Sequence, residues 1–212
     1  MDSKINHIRN LVHFASANLF YIIFCMAVIT AGCKAQNKTT STGSNDNPQL
    51  KELVSIDQQM RQSDTIVEME PIDKQHRAIV MSLLASGQIK TSTDKFNASL
   101  ILQHTALTFC NDKLVSISPE NYLLAHHLAK SAFESGDKSA AYMTAATYDR
   151  YLLYTEGYQK YGTQRVPDEV TGEEVWAPID PKTTDEERAK YNVPPLTELL
   201  KKYKIKPFLN SK

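Results

Sequence analysis

The chain predicts a mainly α fold, a small helical bundle with a short β-hairpin near the C-terminus. Apolar residues recur at three- and four-residue spacing in five successive segments between about residues 48 and 154, as helices that bury one face require. Proline and glycine punctuate those segments at the places where helices start and stop. Beyond Gly157 the pattern changes to alternating polar and β-prone residues, YGTQRVPDEVTGEEVWAPID.

The first helix is expected over about residues 48–61, with Asn47 before it, Pro48 in its first turn, and Leu50, Leu53, Val54 and Asp57 along one side. A second, about 72–86, is closed by Gly87 as a left-handed cap. The third, about 93–109, carries Phe96, Leu100, Ile101, His104 and Leu107 at helical spacing. Ser118 and Pro119 open the fourth and Gly136 ends it, with Leu124, Leu128, Ala129 and Ala132 as its buried stripe. The fifth runs from about 138 to 154 and stops at Gly157, burying Ala141, Ala145, Tyr148 and Leu152. Thr171 and Gly172 make the turn of a hairpin with arms near Gln164 and Trp176. Thr184 and Glu187 form a capping box for a short helix through about Tyr191, and Leu196, Leu199 and Leu200 mark a last amphipathic turn.

The N-terminal stretch has a different character. Lys4 and Arg9 precede the apolar run LFYIIFCMAVI, which ends in Ile29-Thr30-Ala31-Gly32-Cys33. A basic start, an apolar stretch and small residues before a cysteine resemble a bacterial lipoprotein signal, which makes residues 1–32 a signal peptide with a lipobox and Cys33 the lipidated residue. An uncleaved transmembrane helix over residues 14–32 and ordinary secretion are the competing readings. Each places the following domain outside the cytoplasm. Residues 34–47, KAQNKTTSTGSNDN, are too polar to bury surface and read as a flexible tether, so a single domain is expected over 48–212. Several acyl chains on Cys33, palmitate among them, would hold the protein to a membrane in the bacterial cell envelope, facing the periplasm or the exterior.

With 212 residues and zero formal net charge, the chain is long enough for one core and lacks the basic excess a nucleic-acid surface needs. Of the three cysteines, Cys25 lies in the leader and Cys33 in the lipobox, so Cys110 is left without a partner and reads as a small buried hydrophobe. Metal-ligand spacing, a phosphate-cradling glycine loop and a nucleophile elbow are not evident, and no cofactor is expected.

Among polar residues, Asp57 and Arg61 stand one helical turn apart and can pair. His104 interrupts an apolar stripe, so it either finds a partner in the core or lines a cavity. His126 and His127 are adjacent on a helix and diverge. Asp149 and Arg150, near the end of the fifth helix, are followed by Gln159, Tyr161, Thr163 and Gln164, a density of donors and acceptors suited to a polar pocket or a well-tied loop.

These pieces resemble a bacterial family known only as domain of unknown function 6624. The likeness rests on Asp57-Gln58-Gln59-Met60-Arg61, on Gln103-His104-Thr105-Ala106, on the pair Asp149-Arg150, and on Gln159-Lys160-Tyr161-Gly162-Thr163-Gln164. It covers about residues 50–203. It implies no activity, but it groups Asp57, Arg61, Gln103, His104, Asp149, Arg150, Gln159, Tyr161, Thr163 and Gln164 as candidate ligand-binding residues. Three functions follow. The first is a binding module whose Arg150 pairs an anionic group on a peptide, a cell-wall fragment or an envelope protein. The second is an envelope hydrolase with His104 as general base oriented by Asp149 or Asp57. In the third, the same residues merely stitch the hairpin to the bundle.

Overall fold

A computed structural model describes residues 45–62, 69–111, 113–168 and 170–208. The leader, Cys33 and all but the end of the tether lie outside the described residues. The helices are α1 (Pro48–Gln62), α2 (Met69–Ala85), α3 (Ser92–Leu102), α4 (Glu120–Glu134), α5 (Ala140–Glu156), α6 (Asp185–Lys190) and α7 (Leu196–Lys202). Two antiparallel hairpins accompany them, β1 (Leu107–Cys110) with β2 (Lys113–Ser116), and β3 (Arg165–Pro167) with β4 (Glu174–Trp176). No helix among the described residues is long and apolar enough to cross a membrane.

Helix α3 is the hub, packing against α1, α2, α4 and α5, while α4 and α5 lie together as a hairpin. Leu50 and Leu53 of α1, Val80 and Leu83 of α2, Ala98, Ile101 and Leu102 of α3, and Ala125 of α4 close one core cluster. Alanines dominate the α4–α5 seam, where Ala125, Ala129, Ala132, Ala141 and Ala145 are buried and let the two backbones approach. Leu124 and Leu128, expected in the buried stripe, are only partly buried and pack against the first cluster instead.

Local chemistry explains most boundaries. Asn47 caps α1, its Oδ1 accepting from Leu50 N at 3.0 Å. Thr91 and Asp94 form a capping box on α3, and Thr184 and Glu187 form the expected one on α6. Gly157 ends α5 in the left-handed region at φ +79°. The end of the tether is tied down, because Asp94 accepts from Asn47 N at 2.7 Å and Asp46 accepts from Thr91 Oγ1 at 2.7 Å.

Two expectations are corrected. Helix α3 stops at Leu102 rather than near Phe109, and the chain enters the β1–β2 hairpin, which the helical spacing of Leu107 had concealed. β-Branched Thr105 and Thr108 disfavour further helix, and Asn111 turns the strand at φ +50°. Cys110 therefore lies on a strand as an exposed free thiol, not as a buried hydrophobe.

Candidate functional site

His104 is held just beyond the end of α3 by a set of grips on three consecutive carbonyls. Arg150 Nη1 donates to Gln103 O at 2.9 Å, Arg77 Nη1 to His104 O at 2.7 Å, and Tyr122 Oη to Thr105 O at 3.0 Å. A helix end leaves its last carbonyls without intrahelical partners, and here α2, α4 and α5 supply them. The histidine so fixed borders a cleft of about 270 Å³, lined by Arg61, Asp73, Gln103, His104, Tyr122, Arg150, Tyr154 and Gln164 among others. Most of that lining is polar.

Beneath the cleft lies Asp57, 0% exposed. Arg61 Nε donates to its Oδ2 at 3.2 Å and Arg61 Nη2 to its Oδ1 at 3.1 Å, and Gln58 Nε2 reaches Oδ2 at 2.9 Å. The Arg61 guanidinium also pairs Asp73. His104 Nδ1 stands 3.2 Å from Asp57 Oδ2, and His76 Nδ1 stands 3.5 Å from Oδ1. Neither ring nitrogen meets the geometry of a hydrogen bond, so both are close polar contacts to the carboxylate. Burial opposes ionisation of Asp57, but His104 and Arg61 outweigh it and hold the carboxyl below its ordinary pKa.

Arg150 occupies the other wall. Its Nε donates to Gln164 Oε1 at 3.0 Å, and its guanidinium lies 5.9 Å from the centroid of the Tyr122 ring. Burial lowers its pKa, yet a guanidinium stays charged at any physiological pH. Among the described residues no carboxylate reaches it, and its charged neighbour is Arg61. A guanidinium so placed favours an anion in the cleft.

The Gln159–Gln164 segment earns its polarity in another way. The Asp149 carboxylate, 0% exposed, accepts from the backbone N–H groups of Lys160, Tyr161, Gly162 and Thr163 at 2.7 to 3.0 Å and from Thr163 Oγ1 at 2.8 Å. Burial pushes this carboxyl up, to about 6, while the five hydrogen bonds favour the anion; every partner is a donor, which leaves no acceptor for a carboxylic proton. Gln159 spans the loop, its Nε2 donating to Gln164 O and Ala177 O and its Oε1 accepting from Gln164 N. Arg188 of α6, 0% exposed, donates to Tyr161 O at 2.6 Å and to the carbonyls of Asp180 and Thr183. Gln164 then turns its Oε1 to Arg150 and its Nε2 to Ala146 O.

Of the residues singled out in the sequence, Arg61, Gln103, His104, Arg150 and Gln164 converge on the cleft and Asp57 underlies it. Asp149, Gln159, Tyr161 and Thr163 do not line it: they build the loop that aims Gln164, and the carboxylate beside His104 is that of Asp57. No family model, curated protein or solved structure matches the chain. The likeness to domain of unknown function 6624 rests on the residues quoted for it. His126, with Nδ1 2.9 Å from Thr144 O, serves the α4–α5 seam.

Sequence reasoning missed Asp73, His76, Arg77, Tyr122 and Arg188. Asp73, His76, Arg77 and Val80 follow one another at helical spacing, and all four are buried on one face of α2. That spacing was a legible signal for the first three.

Proposed function

We propose that this chain is a membrane-anchored lipoprotein of the bacterial cell envelope, held by Cys33, whose cleft binds the anionic end of a peptide or cell-wall fragment. One observation supports this above the others: Arg150 is a charged, largely buried group with neutral partners only, facing a polar cleft. Gln103, Gln164 and the tyrosines around it suit amide and hydroxyl groups next to a carboxylate. The cleft is close to the lower size of small-molecule sites, about 300 Å³, which fits a terminal residue rather than a long chain.

Isothermal titration with a peptidoglycan stem peptide carrying a free C-terminal carboxylate, and with the same peptide amidated, tests the reading. Saturable binding of the carboxylate form, lost on amidation and in Arg150→Gln with its circular dichroism unchanged, is the expected result. Equal affinity of the two peptides sinks it.

A second reading, an envelope hydrolase, has its own support in the Asp57–His104 contact, since a carboxylate at Nδ1 leaves the other ring nitrogen to act as general base. It requires that purified cell wall release fragments with the wild-type chain and not with His104→Gln.

A further inference from the structure

We infer that Asp57, Asp73, His76 and His104 form a binding site for a first-row divalent cation of the zinc type, at the floor of the cleft. One donor atom each from Asp57, Asp73 and His104 fall within 4.8 Å of one another. A tetrahedral ion held about 2.0–2.2 Å from nitrogen and oxygen donors sets them roughly 3.3–3.6 Å apart, so the cluster closes on an ion with small side-chain rotations.

The second observation is independent of that cluster. His76 is only 7% exposed, and its Nδ1 has no hydrogen-bond partner although it points at Asp57. The Nδ1 of His104 is likewise buried and without a hydrogen bond. Two buried imidazole nitrogens thus flank one carboxylate at 3.2 and 3.5 Å without a hydrogen bond, which leaves both available as donors beside the cluster. Buried polar atoms are otherwise almost always paired.

Mixed imidazole and carboxylate donors suit zinc, cobalt, iron or manganese better than calcium, which prefers oxygen alone. Arg61 now neutralises the two carboxylates, and a cation replaces it there. Its side chain is 26% exposed and borders the cleft, so the guanidinium has a route outward, toward the place where an anion meets Arg150. The site stands without the anion-binding reading, because its donors do not include Arg150.

The test is a titration of the full-length chain in detergent with Co²⁺ alone, followed in the visible spectrum. Saturable uptake of one equivalent, with ligand-field bands and no thiolate charge-transfer band, is expected, the last point excluding Cys25, Cys33 and Cys110 as ligands. Asp57→Asn removes a buried charge and can unfold the chain, so His104→Gln, at the cleft wall, is the second variant. Each folded variant is expected to lose at least tenfold in affinity and to forgo the rise in Tm that Co²⁺ gives the wild type. No saturable uptake by the wild type, a thiolate band, or less than tenfold loss in His104→Gln overturns the site.

Discussion

Arg150 and Gln164 are joined side chain to side chain, guanidinium Nε to amide Oε1 at 3.0 Å, so the loop after α5 sets the aim of the cleft's cation. The amide matters because it accepts without carrying charge. Gln164→Glu places a carboxylate on Arg150 and is expected to weaken binding of the stem-peptide carboxylate at least tenfold. The lost donation to Ala146 O costs about 1–2 kcal/mol of stability, read from urea unfolding.

Asp149 organises the loop through an all-donor shell. Asparagine in its place turns an amide NH₂ toward backbone N–H groups, so Asp149→Asn should cost about 3–5 kcal/mol and lower Tm steeply. A change within 1 °C would mean that the loop does not depend on the charge.

Gly162 is the position where this loop tolerates no side chain. Its φ is +99°, and an added Cβ would meet Leu199 Cδ1 at 2.7 Å and Ile179 Cδ1 at 3.1 Å. Gly162→Ala is expected to cost about 1–3 kcal/mol, part backbone strain and part overpacking. Because the nearer clash is with one methyl, Gly162→Ala combined with Leu199→Ala should be less destabilised than the sum of the single variants, and strict additivity would argue against the contact.

Acid should loosen the junction between the tether and α3. The Asp94 carboxylate is buried, which opposes its charge, but donations from the backbone of Asn47, Lys90 and Thr91 lower its pKa below the ordinary 3.8. A depressed folded pKa means that its stabilising contribution is present above 3.8 and is lost as pH falls below it. Urea midpoints measured from neutral pH downward should fall below about pH 4, with a shallower fall in Asp94→Asn.

Cys110 is expected to react with a thiol reagent in the native chain without denaturant. A Cys25→Ser, Cys33→Ser background isolates the signal, and protection until unfolding would contradict the exposed strand position.

Much of the bundle could be read from the chain, because caps and glycines act within one helical turn. Asn47, Thr184 with Glu187, and Gly157 mark their helix ends locally, and Thr171 with Gly172 lies between the strands of the second hairpin. The end of α3 was not legible. Leu107 continues the apolar spacing, and what fixes His104 is a grip by Arg77, Tyr122 and Arg150 on carbonyls 17 to 47 positions distant, beyond the reach of any local pattern. The site divides the same way. The pairing of Asp57 with Arg61 follows from one turn of helix, whereas the meeting of Asp57 with His104 requires α1 and α3 to pack. The dense polarity of residues 159–164 was visible, but its target, a neighbouring carboxylate rather than a ligand, depends on the fold.

Arg188 gives the molecule an order of assembly. The carbonyl of Tyr161 that it grips, and the carbonyl of Ala177 that Gln159 grips, tie the wall of the cleft to chain that is synthesised well after the helices that form its floor. The floor can form first and the wall only when α6 arrives. A chain cut short before Arg188 would therefore leave the Tyr161 carbonyl and the loop around the buried Asp149 without part of their setting, which makes completion of the cleft a late event in the life of each molecule.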